Sequence, residues 1–436
     1  MKGGDYFLAG VILAVGAVLL VLAMGWLDSG GVEYDPQHTL QWDDYREIDA
    51  SDVLGASGAL EIVSIAGTAY LHAAETGYGK VVHMDGKTDD YKVTKATCDI
   101  IIMNGQSNSA YYWIHDWRPE SDKAPAPEIG TCYYFGRLTD PAMNYLIGSI
   151  EDYEIHDFID PNTGDLRIGD KGPGICTEYY KATGHKVFWI QIGIVAKHVA
   201  AFVPPSASCW TYDLSVMTMF NEDLADLPVE IDRTIMYWAQ GEGDKSAGTS
   251  IATYKSRFMQ FWDAAPAAWG HDIETCYMVS GRTNHMGIIN TALAELAAEH
   301  DNIKMAVLPA LIDSFTVANG LMVDDNLHYT QLGDNAVANA CVRYALADMG
   351  YHVEDPAPIY LMQATATATV GGTYTAPGLV TTYRTDLSTG LATVTWDSLP
   401  GTDETGLFVA EGTAAVPESL ILAYAPAPML IVTVTE

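Results

Sequence analysis

Apolar residues fall along this chain in short runs, separated by longer stretches in which they recur every three or four positions. Ile100-Ile101-Ile102-Met103, Val187-Phe188-Trp189-Ile190-Gln191-Ile192 and Thr234-Ile235-Met236-Tyr237-Trp238 are runs of the first kind, bounded by turn-forming residues. A strand covered on both faces has no polar side to show, so these runs predict central strands of a parallel sheet. The spacing predicts helices over 253–262, 288–300 and 333–349. Leu293, Leu296 and Ala297 share one helical face, and so do Val337, Ala340 and Cys341. Strands alternating with helices between Asp99 and Tyr351 imply an α/β domain with a mainly parallel sheet, placed at residues 96–352.

The flanks follow other patterns. Residues 27–95 are acidic and mixed, with Gly79 to Lys87 reading as strand and turn and Tyr91-Lys92-Val93 as a returning strand. This predicts a β-rich stalk or packing region. After Asp355-Pro356-Ala357-Pro358 the composition shifts to Thr, Val, Ala and Gly, with runs such as Ala366 to Val370 and Ala392 to Trp396 between turn residues. Residues 357–436 are therefore expected to form a β-sandwich. Val394-Thr395-Trp396-Asp397, Pro400-Gly401-Thr402 and Val409-Ala410-Glu411-Gly412-Thr413 resemble bacterial immunoglobulin-like modules, which implies a spacer or adhesive role.

Phe7 to Trp26 carries no charge over about twenty residues, enough for a transmembrane helix across a bilayer core. Lys2 precedes it and Asp28, Glu33 and Asp35 follow, which places the bulk of the chain outside the cytoplasm. Residues 1–26 thus read as a membrane anchor. A cleavable signal (Ala23-Met24-Gly25 as the cut site) and a prepilin-like leader (Gly3-Gly4) stay open. All three readings export the protein, as a single-pass cell-membrane protein or a secreted one.

Charge narrows the partners. Against 22 basic residues stand 56 acidic ones, a net charge of -34 that repels phosphate backbones and excludes nucleic acid. Six scattered cysteines (Cys98, Cys132, Cys176, Cys209, Cys276, Cys341) show no zinc-like spacing, and any pairing is open. Asp160-Pro161-Asn162-Thr163-Gly164-Asp165 lacks the acidic endpoint of a calcium loop and reads as a turn. No metal or organic cofactor is expected.

Chemistry concentrates in three places. Asn104-Gly105-Gln106-Ser107-Asn108-Ser109 follows the first apolar run, so Ser107 stands where a parallel sheet opens to ligands. Trp238-Ala239-Gln240-Gly241-Glu242-Gly243-Asp244 follows the third. An amide such as that of Gln240 can donate to a developing oxyanion, typically worth roughly 2.7–4 kcal/mol. Glu242 and Asp244 would brace that loop or bind a sugar hydroxyl. Asp325-Asn326-Leu327-His328 sets a carboxylate three residues before an imidazole, close enough to fix its tautomer.

Ser, then Gln-Gly-Glu, then Asp-x-x-His, in this order, resembles the SGNH hydrolases over Asp99 to Gly350, and more closely their sialate O-acetylesterase and carbohydrate acetylesterase branch. The resemblance implies a three-layer α/β/α domain. It makes Ser107 the nucleophile, His328 the general base and Asp325 its orienting partner. The Ser107 N–H and Gln240 would build the oxyanion hole with Ala196, from Gly193-Ile194-Val195-Ala196-Lys197-His198, a stretch that replaces the family's Gly-Gly block. Gln106, Asn108 and His198 would line the substrate site or brace its loops. Tyr111, Tyr112, Trp113 and Trp117 would stack on sugar rings or pack beneath the site. The implied substrate is an acetylated glycan or polysaccharide, with cell-surface or appendage partners reached through the C-terminal domain. Two rivals remain: a non-catalytic glycan-binding or appendage protein on a degenerate fold, and a lipase or thioesterase of the same superfamily.

Overall fold

The computed structural model describes residues 36–109, 123–136, 153–353 and 356–436. The expected anchor at Phe7 to Trp26 and the aromatics Tyr111, Tyr112, Trp113 and Trp117 lie outside the described residues. Among the described residues no helix is long and apolar enough to cross a membrane.

Residues 36–95 build seven strands: β1 (His38–Gln41), β2 (Tyr45–Glu47), β3 (Val53–Gly58), β4 (Leu60–Ile65), β5 (Thr68–Ala73), β6 (Gly77–His83) and β7 (Thr88–Thr94). They form a four-stranded sheet, β1-β7-β6-β3, and a three-stranded one, β2-β5-β4, around a small core that includes Leu60, Leu71, Val81 and Val93. This unit packs on the next one through the buried ammonium of Lys186, which bonds Asp44 Oδ1 at 2.9 Å and the Asp43 carbonyl at 3.2 Å.

The central sheet comprises β8 (Ala96–Gly105), β9 (Cys132–Gly136), β10 (Glu154–Asp157), β11 (Lys186–Gln191), β12 (Val229–Ala239), β13 (Ile273–Val279) and β14 (Ile303–Val307). Their order is β10-β9-β11-β8-β12-β13-β14. Every neighbouring pair is parallel except β10 with β9. The helices are α1 (Lys171–Thr183), α2 (Ser208–Ala225), α3 (Glu242–Ser246), α4 (Ile251–Trp269), α5 (Thr283–Met286), α6 (Ile288–Glu299), α7 (Pro309–Asp313) and α8 (Gln331–Asp348).

Period-two alternation along the strands makes this a three-layer structure. Ile101 and Met103 of β8 join Trp189 and Tyr237 in a core with α1 and α8. Ile100 and Ile102 face the other way, joining Phe188 and Trp238 against α2, α4 and α6. All four β8 residues are fully buried, each contributing about 1.5–3 kcal/mol of apolar burial. Strand order reverses at β8, with β11 and β9 on one side and β12 to β14 on the other. In such sheets the crevice beyond the carboxyl ends of the strands at the reversal is where ligands bind.

The C-terminal unit departs from the expected immunoglobulin-like sandwich. Strands β15 (Ile359–Thr369), β16 (Leu379–Arg384), β17 (Thr389–Trp396), β18 (Gly406–Ala414) and β19 (Met429–Thr435) close into a five-stranded barrel. Closure is made by β15, whose first half pairs antiparallel with β16 while Gln363 to Thr369 pair parallel with β19. Tyr360 and Leu361 of this barrel are buried in the same core as α8, and the Tyr360 hydroxyl lies 2.6 Å from Ser314 Oγ.

Candidate active site

The turn that carries Ser107 is held from several sides. At Gly105 (φ 135°) a Cβ would stand 2.1 Å from the Ala239 carbonyl oxygen, so only glycine lets the ends of β8 and β12 meet. The Gln106 N–H then donates to that carbonyl at 3.0 Å, and the Ser109 N–H and Oγ both donate to the Gln106 carbonyl at 2.7 Å. Ser107 to Ser109 form one 3-10 turn, in which Ser107 is buried to 6% exposure. Gly193, after β11, packs directly on this turn: a Cβ there would fall 2.2 Å from Ser109 Oγ. Beneath it, Asn104 Nδ2 donates to Asp213 Oδ2 at 2.8 Å. Asp213, on α2, is fully buried, and burial pushes its carboxyl well above the usual range against the opposing pull of the Asn104 bond. Asp213 escapes sequence reading because nothing local distinguishes a buried Asp from the acidic surface.

Asp325 and His328 meet as their spacing predicts. His328 Nδ1 lies 2.5 Å from Asp325 Oδ2, while Asp325 Oδ1 accepts the backbone N–H groups of Leu327 at 2.9 Å and His328 at 3.0 Å. Burial tends to raise the Asp325 pKa. The bonds from the His328 and Leu327 amides and the His328 ring outweigh it and hold the carboxyl below its ordinary value. Asn326 takes φ +56°, a left-handed conformation that asparagine tolerates. Arg282, which sequence reading did not single out, clamps this residue by donating from Nη1 to Asn326 Oδ1 at 2.5 Å and to its carbonyl at 3.2 Å.

Asn108 joins the serine turn to the histidine turn. Its Nδ2 donates to the Leu327 carbonyl at 3.3 Å and to Glu242 Oε1 at 3.1 Å. The three motifs therefore come together at one end of the sheet. Below them Asn108, Glu242, Ser280 and Tyr329 help line a cavity of about 10 Å³, room for one water. Among the described residues, two larger crevices of about 530 and 410 Å³ flank α8 and contain none of the predicted site residues.

The Gln-Gly-Glu-x-Asp loop is where geometry and expectation part. Gln240 Nε2 donates to Asp244 Oδ2 at 2.6 Å, the Lys197 carbonyl at 3.0 Å and Gln106 Oε1 at 3.4 Å. Its two hydrogens are committed within the protein, which corrects the expected oxyanion donor to a brace between loops. Gln106 Oε1 also accepts the Gly243 N–H at 3.2 Å. Asp244 is fully buried, and its Oδ2 accepts the Val199 N–H at 2.6 Å, tying this loop to the one after β11. Burial raises the pKa of Glu242, opposed by backbone bonds and by Asn108. His198 and Ala196 are exposed on the neighbouring loop, with Ala196 at φ +56°. The His198 ring lies against Gly243, its Nδ1 3.4 Å from where a Cβ there would stand.

Among the described residues one group has metal-ligand spacing: Asp99, His185 and Asp232. It sits toward the opposite end of β8, eight residues before Ser107, or roughly 26 Å at strand rise. Asp99 already accepts from the Tyr179 hydroxyl at 2.8 Å and the Arg233 N–H at 3.1 Å, and the Arg233 guanidinium lies 3.8 Å from Asp232. These carboxylates are thus already engaged by protein partners. The Asp160 to Asp165 stretch is a turn, with the Gly164 N–H donating to the Asp160 carbonyl at 2.7 Å. All six cysteines are free and buried.

No protein-family model matches the chain, and no curated protein matches it. Among solved structures, a carbohydrate acetylesterase from Xanthomonas citri aligns at 13% identity over 91% of this chain and 96% of that one, with a TM-score of 0.40. An Arabidopsis thaliana protein aligns at 14% identity over 57% of this chain and 98% of its own, also at 0.40. A Bacillus subtilis protein gives 11% identity, 70% and 77% coverage, and a TM-score of 0.31. At such scores these likenesses carry no weight for activity, and what the chain offers is its own constellation: a buried serine turn, an Asp–His pair, and an asparagine in the first turn bonded to the turn of the second.

Proposed function

We propose that this chain is an exported serine esterase that hydrolyses O-acetyl, or similar short acyl, esters on carbohydrates through an acyl-enzyme. The observation that carries the reading is the Asp325–His328 pair, 2.5 Å apart, bonded through Asn108 to the turn that holds Ser107. With Nδ1 engaged by Asp325, the basic nitrogen of a neutral His328 is Nε2. That nitrogen takes the Ser107 proton as the hydroxyl attacks the ester carbonyl. It then returns the proton to the departing sugar oxygen and later activates the water that releases acetate. The ionised Asp325 stabilises the imidazolium formed on the way.

Since Gln240 spends its hydrogens as a brace, the developing oxyanion is met by backbone N–H groups, those of Ser107 and Ala196. Asp244 ties the Ala196 loop through the Val199 N–H, Glu242 holds Asn108 of the serine turn, and His198 stands at the rim for contact with the sugar. The sugar-ester class rests on the motif resemblance, and export rests on the apolar segment Phe7 to Trp26.

Hydrolysis of an aryl acetate by the purified protein, with Ser107→Ala as control, tests the reading. Loss of the serine is expected to lower kcat by roughly 10⁴–10⁶-fold. Equal activity of wild type and variant removes Ser107 from the chemistry. If neither protein turns over any ester tried, the fold serves binding instead. Preference for long-chain over acetyl esters would assign a lipase or thioesterase.

A further inference from the structure

A buried cation lies behind the candidate active site, unused by the proposed chemistry. Lys171, the first residue of α1, is 2% exposed. Its ammonium donates to Asp170 Oδ1 at 2.9 Å, forms an ion pair with Asp334 Oδ1 at 2.6 Å, and sits 5.2 Å from the centre of the Tyr329 ring. Burial alone would depress its pKa, but the two carboxylates outweigh that and hold it above the usual value. Desolvation, against the pull of Lys171, pushes the Asp334 carboxyl above its ordinary value.

Each partner leads to a different wall of the site. Asp170 Oδ2 accepts from Gln191 Nε2 at 2.5 Å, and Gln191 ends β11 two residues before Gly193, the glycine pressed on Ser109. The Asp170 backbone exchanges two bonds with Gln331, which is three residues beyond His328: its N–H donates to Oε1 at 2.8 Å and its carbonyl accepts from Nε2 at 2.9 Å. Asp170 holds φ +76°, an unfavourable backbone for aspartate that this network over-determines. Tyr329 directly follows His328.

We propose that Lys171 is a positioning residue, fixing the His328 turn relative to the Ser107 turn by tying Asp170 and Asp334 together under both. The proposal rests on the esterase reading. Its mechanism is geometric: a 1 Å displacement of a reacting group can cost roughly 100-fold in rate.

Lys171→Met/Asp334→Asn removes the ammonium together with the Asp334 carboxyl, and Gln331→Met cuts the Asp170 link without altering charge. Each is to be assayed for aryl-acetate turnover, for the rate of Ser107 phosphonylation by an aryl fluorophosphonate, and for its thermal transition. The expected result is a fall of roughly 10- to 100-fold in kcat and in phosphonylation rate, with KM within about twofold, in protein still folded at the assay temperature. A purely structural role would lower the thermal midpoint and leave kcat of the folded protein unchanged. That outcome in either variant that folds overturns the proposal, as does failure of both variants to fold. An inactive wild type, or one indifferent to Ser107→Ala, overturns the esterase reading itself.

Discussion

Asp325→Asn separates an orienting carboxylate from a merely structural one. Asp325 Oδ1 accepts two backbone N–H groups, at 2.9 and 3.0 Å, and Oδ2 faces His328 Nδ1 at 2.5 Å. An asparagine has one oxygen to serve both sides. Placing its NH2 against the two amides would leave two donors unsatisfied, at about 1–3 kcal/mol each. Keeping the oxygen there forfeits only the imidazole bond. The amide NH2 therefore turns to Nδ1, makes it an acceptor, and drives the proton to Nε2, where a general base is needed. A tautomer shift of about 4 kcal/mol is roughly a 10³-fold loss of kcat, in line with the approximately 10⁴-fold known for the same change in a serine protease. The assay is kcat and KM on an aryl acetate near pH 7.5, with near-ultraviolet circular dichroism to show an intact fold. A variant that is folded and within about tenfold of wild type refutes the orienting role. Stability carries its own signature, because the folded pKa of Asp325 is depressed. The carboxylate's contribution is fully present above its ordinary value of about 3.9 and is lost as pH falls through the folded value. The gap in Tm between wild type and variant is thus expected to be constant at neutral pH and to close below about pH 4.

Two further outcomes follow from the support under the serine. Gly193→Ala drives a methyl into Ser109 Oγ, 2.2 Å from the new Cβ. Overpacking of this kind costs about 1–3 kcal/mol and displaces the Ser107 turn, so both Tm and kcat are expected to fall; an unchanged melting curve contradicts the packing. Asp213 is buried with a raised pKa, so it costs the fold progressively more as pH climbs from about 4 toward its folded value. Asp213→Asn keeps an acceptor for Asn104 and escapes this cost. Its Tm advantage over wild type is expected to grow as pH rises above about 4, and a pH-independent difference would show that Asp213 is ionised in the fold.

Much of the central architecture is legible in local pattern. β8, β11 and β12 announce themselves as apolar runs because both faces of each are covered, and the motifs at the ends of β8 and β12 inherit their position from that. β9 (Cys132–Gly136) is dominated by tyrosines and β13 (Ile273–Val279) is interrupted by Glu274 and Thr275, so neither presents such a run. α1 opens on Lys171-Gly172-Pro173-Gly174, which reads as a turn, although proline is tolerated in a first helical turn. The barrel was missed for a different reason. Whether five strands close depends on β15 pairing with both β16 and β19, a long-range register that composition does not encode. At the site, Asp325 and His328 are legible because three residues suffice to join them. The commitments of Gln240, the Arg282 clamp and the Lys171 network are tertiary facts: each includes a partner at least 43 positions away along the chain, Lys197, Asn326 and Asp334 respectively.

In the proposed mechanism Ser107, activated by His328, becomes covalently acylated. Mass spectrometry of peptides after reaction with an aryl fluorophosphonate reads this directly. One phosphonyl adduct is expected, on Ser107, and it disappears in His328→Ala. Modification at another residue, or none in a folded and otherwise unaltered protein, would contradict it.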